Sequence, residues 1–244
     1  MLSHPILAEA IETEFVPLMV VNNQPGRDAE LLKRFREPAW NYQVVRFLDQ
    51  SGTDLIPRKD RVWTPQGTAA RMVEALEKAK RPVPKYLQSI VVPSGADLGD
   101  AAFAMHCFWT GELKLGAIDG VVRTEAGWLD GHEVTRVWYD RSELKFADLL
   151  KAAQKVDCAR KVFSASADER AHAVKTGRLS VGELTGYRAA KASDQKRQIQ
   201  GTPYAAISMT AMQATKVNAL ARRDHQAAQL WLSPTQRAGL KFRE

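Results

Sequence analysis

Residues 101–140 read AAFAMHCFWTGELKLGAIDGVVRTEAGWLDGHEVTRVWYD, and this stretch decides the fold. Ala101 to Met105 is a short apolar run that fits a buried strand. From Cys107 to Leu115 the apolar spacing lengthens to that of a helix. Val121 to Ala126 alternates as a strand and ends at Gly127, and Asp130-Gly131 is a hairpin turn signal. Glu133 to Tyr139 (EVTRVWY) is the returning strand. Beyond it, Phe146 to Val156 is amphipathic and opens near Ser142, and Lys161 to Ser164 is a last short strand. The order is β-α-β-β-α-β, the split unit of ferredoxin-like folds.

Upstream, Ser3 can cap a helix over His4 to Phe15. Val16 to Val21 (VPLMVV) predicts a buried strand, Asp28 to Arg36 a short helix, and Tyr42 to Leu48 a second strand closed by the turn Asp49-Gln50-Ser51-Gly52. Leu55 to Pro57 can begin a third. Thr68 to Ala79 is an amphipathic helix that stops before Pro82 and Pro84. The expected organisation is a domain over 1–84, a proline-rich linker over 85–100 and a second domain over 101–244. The tail of the second domain is expected to be helical at Asp168 to Lys175, at Met209 to Arg223 and after Ser233-Pro234. The fold class is α/β, more narrowly α+β.

A chain of 244 residues that is 45% hydrophobic and 26% charged can bury a core without staples. Its two cysteines, Cys107 and Cys158, are too few for a secreted disulfide framework. With no signal-like N-terminus and no apolar run of membrane-spanning length, a cytoplasmic protein without membrane association is expected. The net charge of +7 favours soft attraction to acidic partners. Nucleic acid is disfavoured as a partner, because no basic motif with interleaved aromatic residues occurs.

Cys107 stands where a strand gives way to a helix. Free N–H groups and the helix dipole favour an anion there, and a thiolate is the nucleophilic form of cysteine. His106 can tune it electrostatically. On position alone, a buried structural cysteine remains the alternative. Phe108 and Trp109 can equally be core packing, and Glu133 can be the solvent-facing member of an alternating strand.

The run Phe103 to Glu112 (FAMHCFWTGE) resembles the signature of the A-type peptide methionine sulfoxide reductases, in which an apolar strand leads into Gly-Cys-Phe-Trp with a glutamate three residues later. Gly120 to Trp128, His132 to Asp140 and Phe146 to Leu150 resemble the next blocks of that family, in the same order. The resemblance covers roughly Ala101 to Ala173. It implies thiol-dependent reduction of a sulfoxide, either a methionine sulfoxide peptide or a small sulfoxide. Cys107 would attack the sulfur and Glu133 would be the acid on the oxygen. Phe108, Trp109 and Trp128 would form the substrate slot, and Cys158 is the candidate resolving thiol. Thioredoxin or a small thiol would be the reductant. Neither metal nor organic cofactor is implied, since one His beside one Cys is not a ligand set.

Three features depart from the family pattern. His106 replaces its glycine. The turn Gly127 to His132 replaces a long insert carrying a substrate-binding tyrosine, for which Trp128 or Tyr139 is the candidate substitute. Asp224-His225-Gln226 only echoes its C-terminal motif.

Phe15 to Val21, Asp28 to Phe35, Glu37-Pro38-Ala39-Trp40, Tyr42 to Asp49 and Gly52 resemble the later part of a thioredoxin-like domain. No Cys-X-X-Cys is present, and Asn41 is nearest to where an active-site cis-proline would sit. A domain of this kind would dock partners or support the second domain. The rival to a reductase is therefore a non-catalytic binding or regulatory module on the same scaffold.

Overall fold

The computed structural model describes residues 2–38, 43–93, 95–176 and 179–241. The chain divides into two compact units, Met1–Val91 and Val92–Glu244.

The first unit is built on helices. α1 (Pro5–Glu14) starts one residue later than Ser3 would dictate, with His4 at the N-cap and Pro5 in the first turn. Proline's fixed φ and missing N–H suit that position. α2 is Arg27–Arg34, α3 Pro65–Lys78 and α4 Lys85–Gln88. Thr64 caps α3 by accepting from the Gly67 N–H. Leu7, Met72, Leu76, Leu87 and Phe47 share one core. The first part of the stretch expected as a linker over 85–100 therefore belongs to the first unit, which ends at Val91. Tyr86, Leu87 and Ile90 are buried in this core, and the sheet of the second unit has begun by Leu98.

Neither strand behind the thioredoxin resemblance forms among the described residues. Val16 and Met19 lie in coil, 97% and 83% exposed. An apolar run becomes a strand only when a neighbour takes its backbone hydrogen bonds. Tyr42, Ala39, Trp40 and Asn41 lie outside the described residues, and residues 43–47 are coil. What survives is the turn. Asp49 accepts from the Ser51 and Thr53 N–H groups, and Leu48 and Asp54 meet in an isolated bridge.

The second unit follows the sequence reading closely. Its elements are β1 (Leu98–Ala104), α5 (Phe108–Leu115), β2 (Val121–Leu129), β3 (His132–Asp140), α6 (Phe146–Lys155) and β4 (Lys161–Ser164). β1 lies between β4 and β3, antiparallel to both, and β2 pairs with β3. This is the ferredoxin-like order. Asp130 and Gly131 both have positive φ (50° and 75°), as a two-residue type I′ turn demands. The turn sets Trp128 opposite Glu133.

The tail extends this sheet. After α7 (Ala167–Lys175), β5 (Ser180–Glu183) adds parallel to β4, and β6 (Arg188–Ala189) adds antiparallel to β2. The result is a six-stranded mixed sheet, β5-β4-β1-β3-β2-β6, in an α+β fold. One sheet face packs Phe103, Val137 and Val162 against Leu115 and Leu149 of the helices. The other packs Ala102, Ala104, Val134 and Phe163 against Leu184 and Tyr187 of the tail. α8 (Ala211–Leu220), α9 (His225–Gln229) and α10 (Pro234–Ala238) close the chain. Capping boxes at Thr210/Gln213 and Ser233/Gln236 start α8 and α10. Among the described residues no helix is long and apolar enough to cross a membrane.

Candidate functional site

Cys107 is the N-cap of α5, with extended backbone (φ −146°, ψ 119°). Its side chain takes no part in capping, and the residue is half-buried. Glu133 supplies the cap instead. Its Oε2 accepts the Phe108 N–H at 2.9 Å, while its backbone carbonyl accepts the Met105 N–H at 3.2 Å. The start of β3 thus grips both sides of the short turn that carries His106 and Cys107. Thr135, two residues along the same face, donates from Oγ1 to the Phe108 carbonyl at 3.1 Å. A side chain on Gly111 would overlap Thr135 and Met105, so glycine lets α5 lie this close to the sheet.

The aromatic residues gather at the same point. The buried Phe108 ring meets Trp128 edge-on, centroids 5.6 Å apart, and lies 5.9 Å from Trp109. Trp128 is 39% exposed, and as the cross-strand partner of Glu133 it shares that residue's face of the sheet. Trp109 is half-buried, its indole N–H has no hydrogen-bond partner among the described residues, and the Arg197 guanidinium covers its ring at 5.2 Å.

Beside this cluster runs a cleft of about 520 Å³ whose lining includes Trp128, Glu133, His106, His132, Arg160, Lys161 and Ser180. Arg160 donates its backbone N–H to the Ala104 carbonyl at 2.9 Å, which holds it next to the end of β1. His132, Arg160, Lys161 and Ser180 were not singled out from the sequence. The signal was present in the topology. Once β4 is placed antiparallel beside β1, the residues preceding β4 must arrive where β1 ends.

Of the candidates read from the sequence, His106, Trp128 and Glu133 line this cleft, Cys107, Phe108 and Trp109 adjoin it without being among its lining residues, and the others lie away from it. Cys158 is fully buried in the main core, its thiol pushed upward by burial, and its Sγ lies 3.5 Å from the Val156 carbonyl. Both cysteines are free. Tyr139 is also fully buried and donates to Glu169 Oε1 at 2.7 Å, so it does not stand in for the family's tyrosine. Asp224 caps α9, and His225 stacks on Tyr204, centroids 6.2 Å apart. Glu112 is fully buried and bonded to Lys196 of the tail, with Nζ at 2.5 Å from Oε1 and N at 2.7 Å from Oε2. Among the described residues no group of three His, Cys, Asp or Glu side chains could hold a metal ion.

No family model and no curated protein matches the chain. Among solved structures it is similar to methionine sulfoxide reductase A of Corynebacterium diphtheriae, at 15% identity and a TM-score of 0.37 over 49% of this chain and 85% of that one. It is also similar to Mxr1 from Saccharomyces cerevisiae, described in an unusual oxidized form, at 16% identity and a TM-score of 0.34 over 40% of this chain and 77% of that one. Overlaps of this size leave the functional reading to the chain's own residues.

Proposed function

We propose that the chain is a thiol-dependent reductase of sulfoxides, such as a peptide methionine sulfoxide, with Cys107 as nucleophile and Glu133 as acid. The observation that carries this reading is the hydrogen bond from the Phe108 N–H to Glu133, which holds the carboxyl against the residue that follows the thiol. Only Oε2 is used in that bond, and among the described residues Oε1 has no partner. As general acid, Glu133 would give a proton to the sulfoxide oxygen while the Cys107 sulfur attacks the substrate sulfur. The S–O bond breaks, the sulfoxide is reduced by two electrons to the thioether, and the oxygen ends on Cys107 as a sulfenic acid. Two equivalents of an external thiol, or one thioredoxin, then return Cys107 to the thiol with release of water. Trp128 offers the apolar surface for the methyl group, with the buried Phe108 ring packed edge-on against it. The buried Cys158 has no part in this cycle. A reducing cytoplasm would supply the donor.

A non-catalytic module on the same scaffold is the second reading. The two-residue Asp130-Gly131 turn favours it, since it brings no hydroxyl donor to the oxygen. One assay separates the two: a methionine sulfoxide peptide with dithiothreitol, turned over by the wild type, Cys107→Ser and Glu133→Gln. The reductase reading expects background for Cys107→Ser and a loss of about 10²–10⁴-fold in kcat for Glu133→Gln. Wild-type turnover no higher than that of Cys107→Ser would leave the binding module.

A further inference from the structure

We propose that the cleft selects sulfoxides carrying a carboxylate close to the oxidised sulfur, and that Arg160 is the residue that binds it. The inference rests on the reductase reading and deepens it. Arg160 lines the same cleft as Glu133, and its backbone is fixed to the end of β1, three residues before Cys107. Arg160 is exposed, and its guanidinium makes no hydrogen bond or ion pair among the described residues. Its neighbour Lys161 is already engaged, with Nζ 2.5 Å from Asp130 and 4.9 Å from the Phe163 ring. Asp130 is held below the ordinary carboxylate range by that lysine, so the two neutralise each other.

Among the described residues Arg160 is thus the uncommitted arginine or lysine of the cleft. His106 and His132 also line the cleft, and among the described residues Glu133 is the acid of the lining, with one oxygen already occupied by the Phe108 N–H. A planar guanidinium with free donors matches a carboxylate in two-pronged fashion, which a lysine cannot do. The carboxylate could be the α-carboxylate of a terminal or free methionine sulfoxide, or the side chain of an adjoining aspartate or glutamate. The shared chemistry is an anion placed beside the sulfoxide.

The test measures kcat/KM on the full chain with peptides in which methionine sulfoxide is followed by Asp, Asn or Lys, and with N-acetyl methionine sulfoxide as the free acid and as the methyl amide. In the wild type the Asp peptide is expected to exceed the Asn peptide by roughly two- to five-fold at low salt, the range of an exposed ion pair, and the margin should shrink as salt rises. Arg160→Gln should bring the Asp/Asn ratio to about one. Arg160→Glu should invert the order in favour of the Lys peptide, a gain that misfolding cannot mimic. A preference for the N-acetyl acid over its amide assigns the site to an α-carboxylate, and a preference confined to the Asp peptide assigns it to a side chain. Wild-type turnover that ignores charge, or a preference unchanged in Arg160→Glu, overturns the inference and spares the reductase reading. Absence of turnover on every sulfoxide removes both.

Discussion

Replacing Lys196 with methionine tests how the tail is anchored to the helix that carries the candidate thiol. Glu112 lies on α5 with no exposure and takes bonds from Lys196 Nζ at 2.5 Å, Lys196 N at 2.7 Å and, more weakly, Thr124 Oγ1 at 3.4 Å. Lys196→Met removes the cation and leaves a buried carboxylate with a single strong donor. Breaking one side of a buried pair costs about 3–5 kcal/mol. The surviving backbone N–H, a charge-assisted bond, puts this case at the lower end, about 3 kcal/mol. For a unit of this size that is a fall in Tm of roughly 6–12 °C. The double variant Glu112→Leu/Lys196→Met removes the stranded charge. It gives up the remaining hydrogen bonds of Thr124 and of the Lys196 N–H, about 1 kcal/mol each, so it should be more stable than Lys196→Met alone. Urea unfolding of the full chain by tryptophan fluorescence gives the free energies. Hydrogen exchange at the Ala126 N–H, which Gln195 Oε1 accepts at 2.9 Å, reports whether the adjoining segment stays docked. If the two single losses simply add in the double variant, the pair is uncoupled and the anchoring argument fails.

Two further outcomes follow from the packing. In Gly111→Ala the new Cβ would fall 2.1 Å from Thr135 Oγ1 and 2.2 Å from Met105 Sδ, so α5 must shift from β3. A stability loss of about 1–3 kcal/mol is expected, with a fall in sulfoxide turnover beyond what the unfolded fraction explains; activity that merely tracks stability would contradict the positioning role of this contact. In the first unit, Arg58 holds Glu37 below its ordinary 4.5, chiefly through their side-chain hydrogen bonds at 2.6 and 2.9 Å, with Arg46 assisting. A depressed carboxylate contributes stability that is fully present above its unfolded value and is lost as pH falls through the folded one. Acid titration of helical circular dichroism should therefore show a loss starting below about 4.5 that Glu37→Gln flattens. An unchanged acid limb in Glu37→Gln would show that this pairing does not hold the unit together.

What could be read from the sequence follows the range over which each element is determined. Asp130-Gly131 fixes its hairpin within two residues, and that turn alone forces Trp128 opposite Glu133, so the pairing of β2 with β3 was legible. Residues 16–21 had the composition of a strand, yet strand formation depends on a partner, and exposed Val16 and Met19 have none among the described residues. β5 and β6 were illegible for the opposite reason. Ser-Val-Gly-Glu and Arg-Ala carry no pattern of their own and become strands because β4 and β2 present open edges. Glu112 and Lys196 are 84 positions apart, and no local rule pairs them. The candidate site spans both regimes. Cys107, Phe108 and Trp109 announce themselves in one tripeptide at a helix start, whereas Arg160 enters the cleft only because β4 runs back beside β1. Its place was derivable once the strand order was drawn, so a charge at the beginning of the fourth strand of a ferredoxin-like sheet should be weighed with the groups that follow the first.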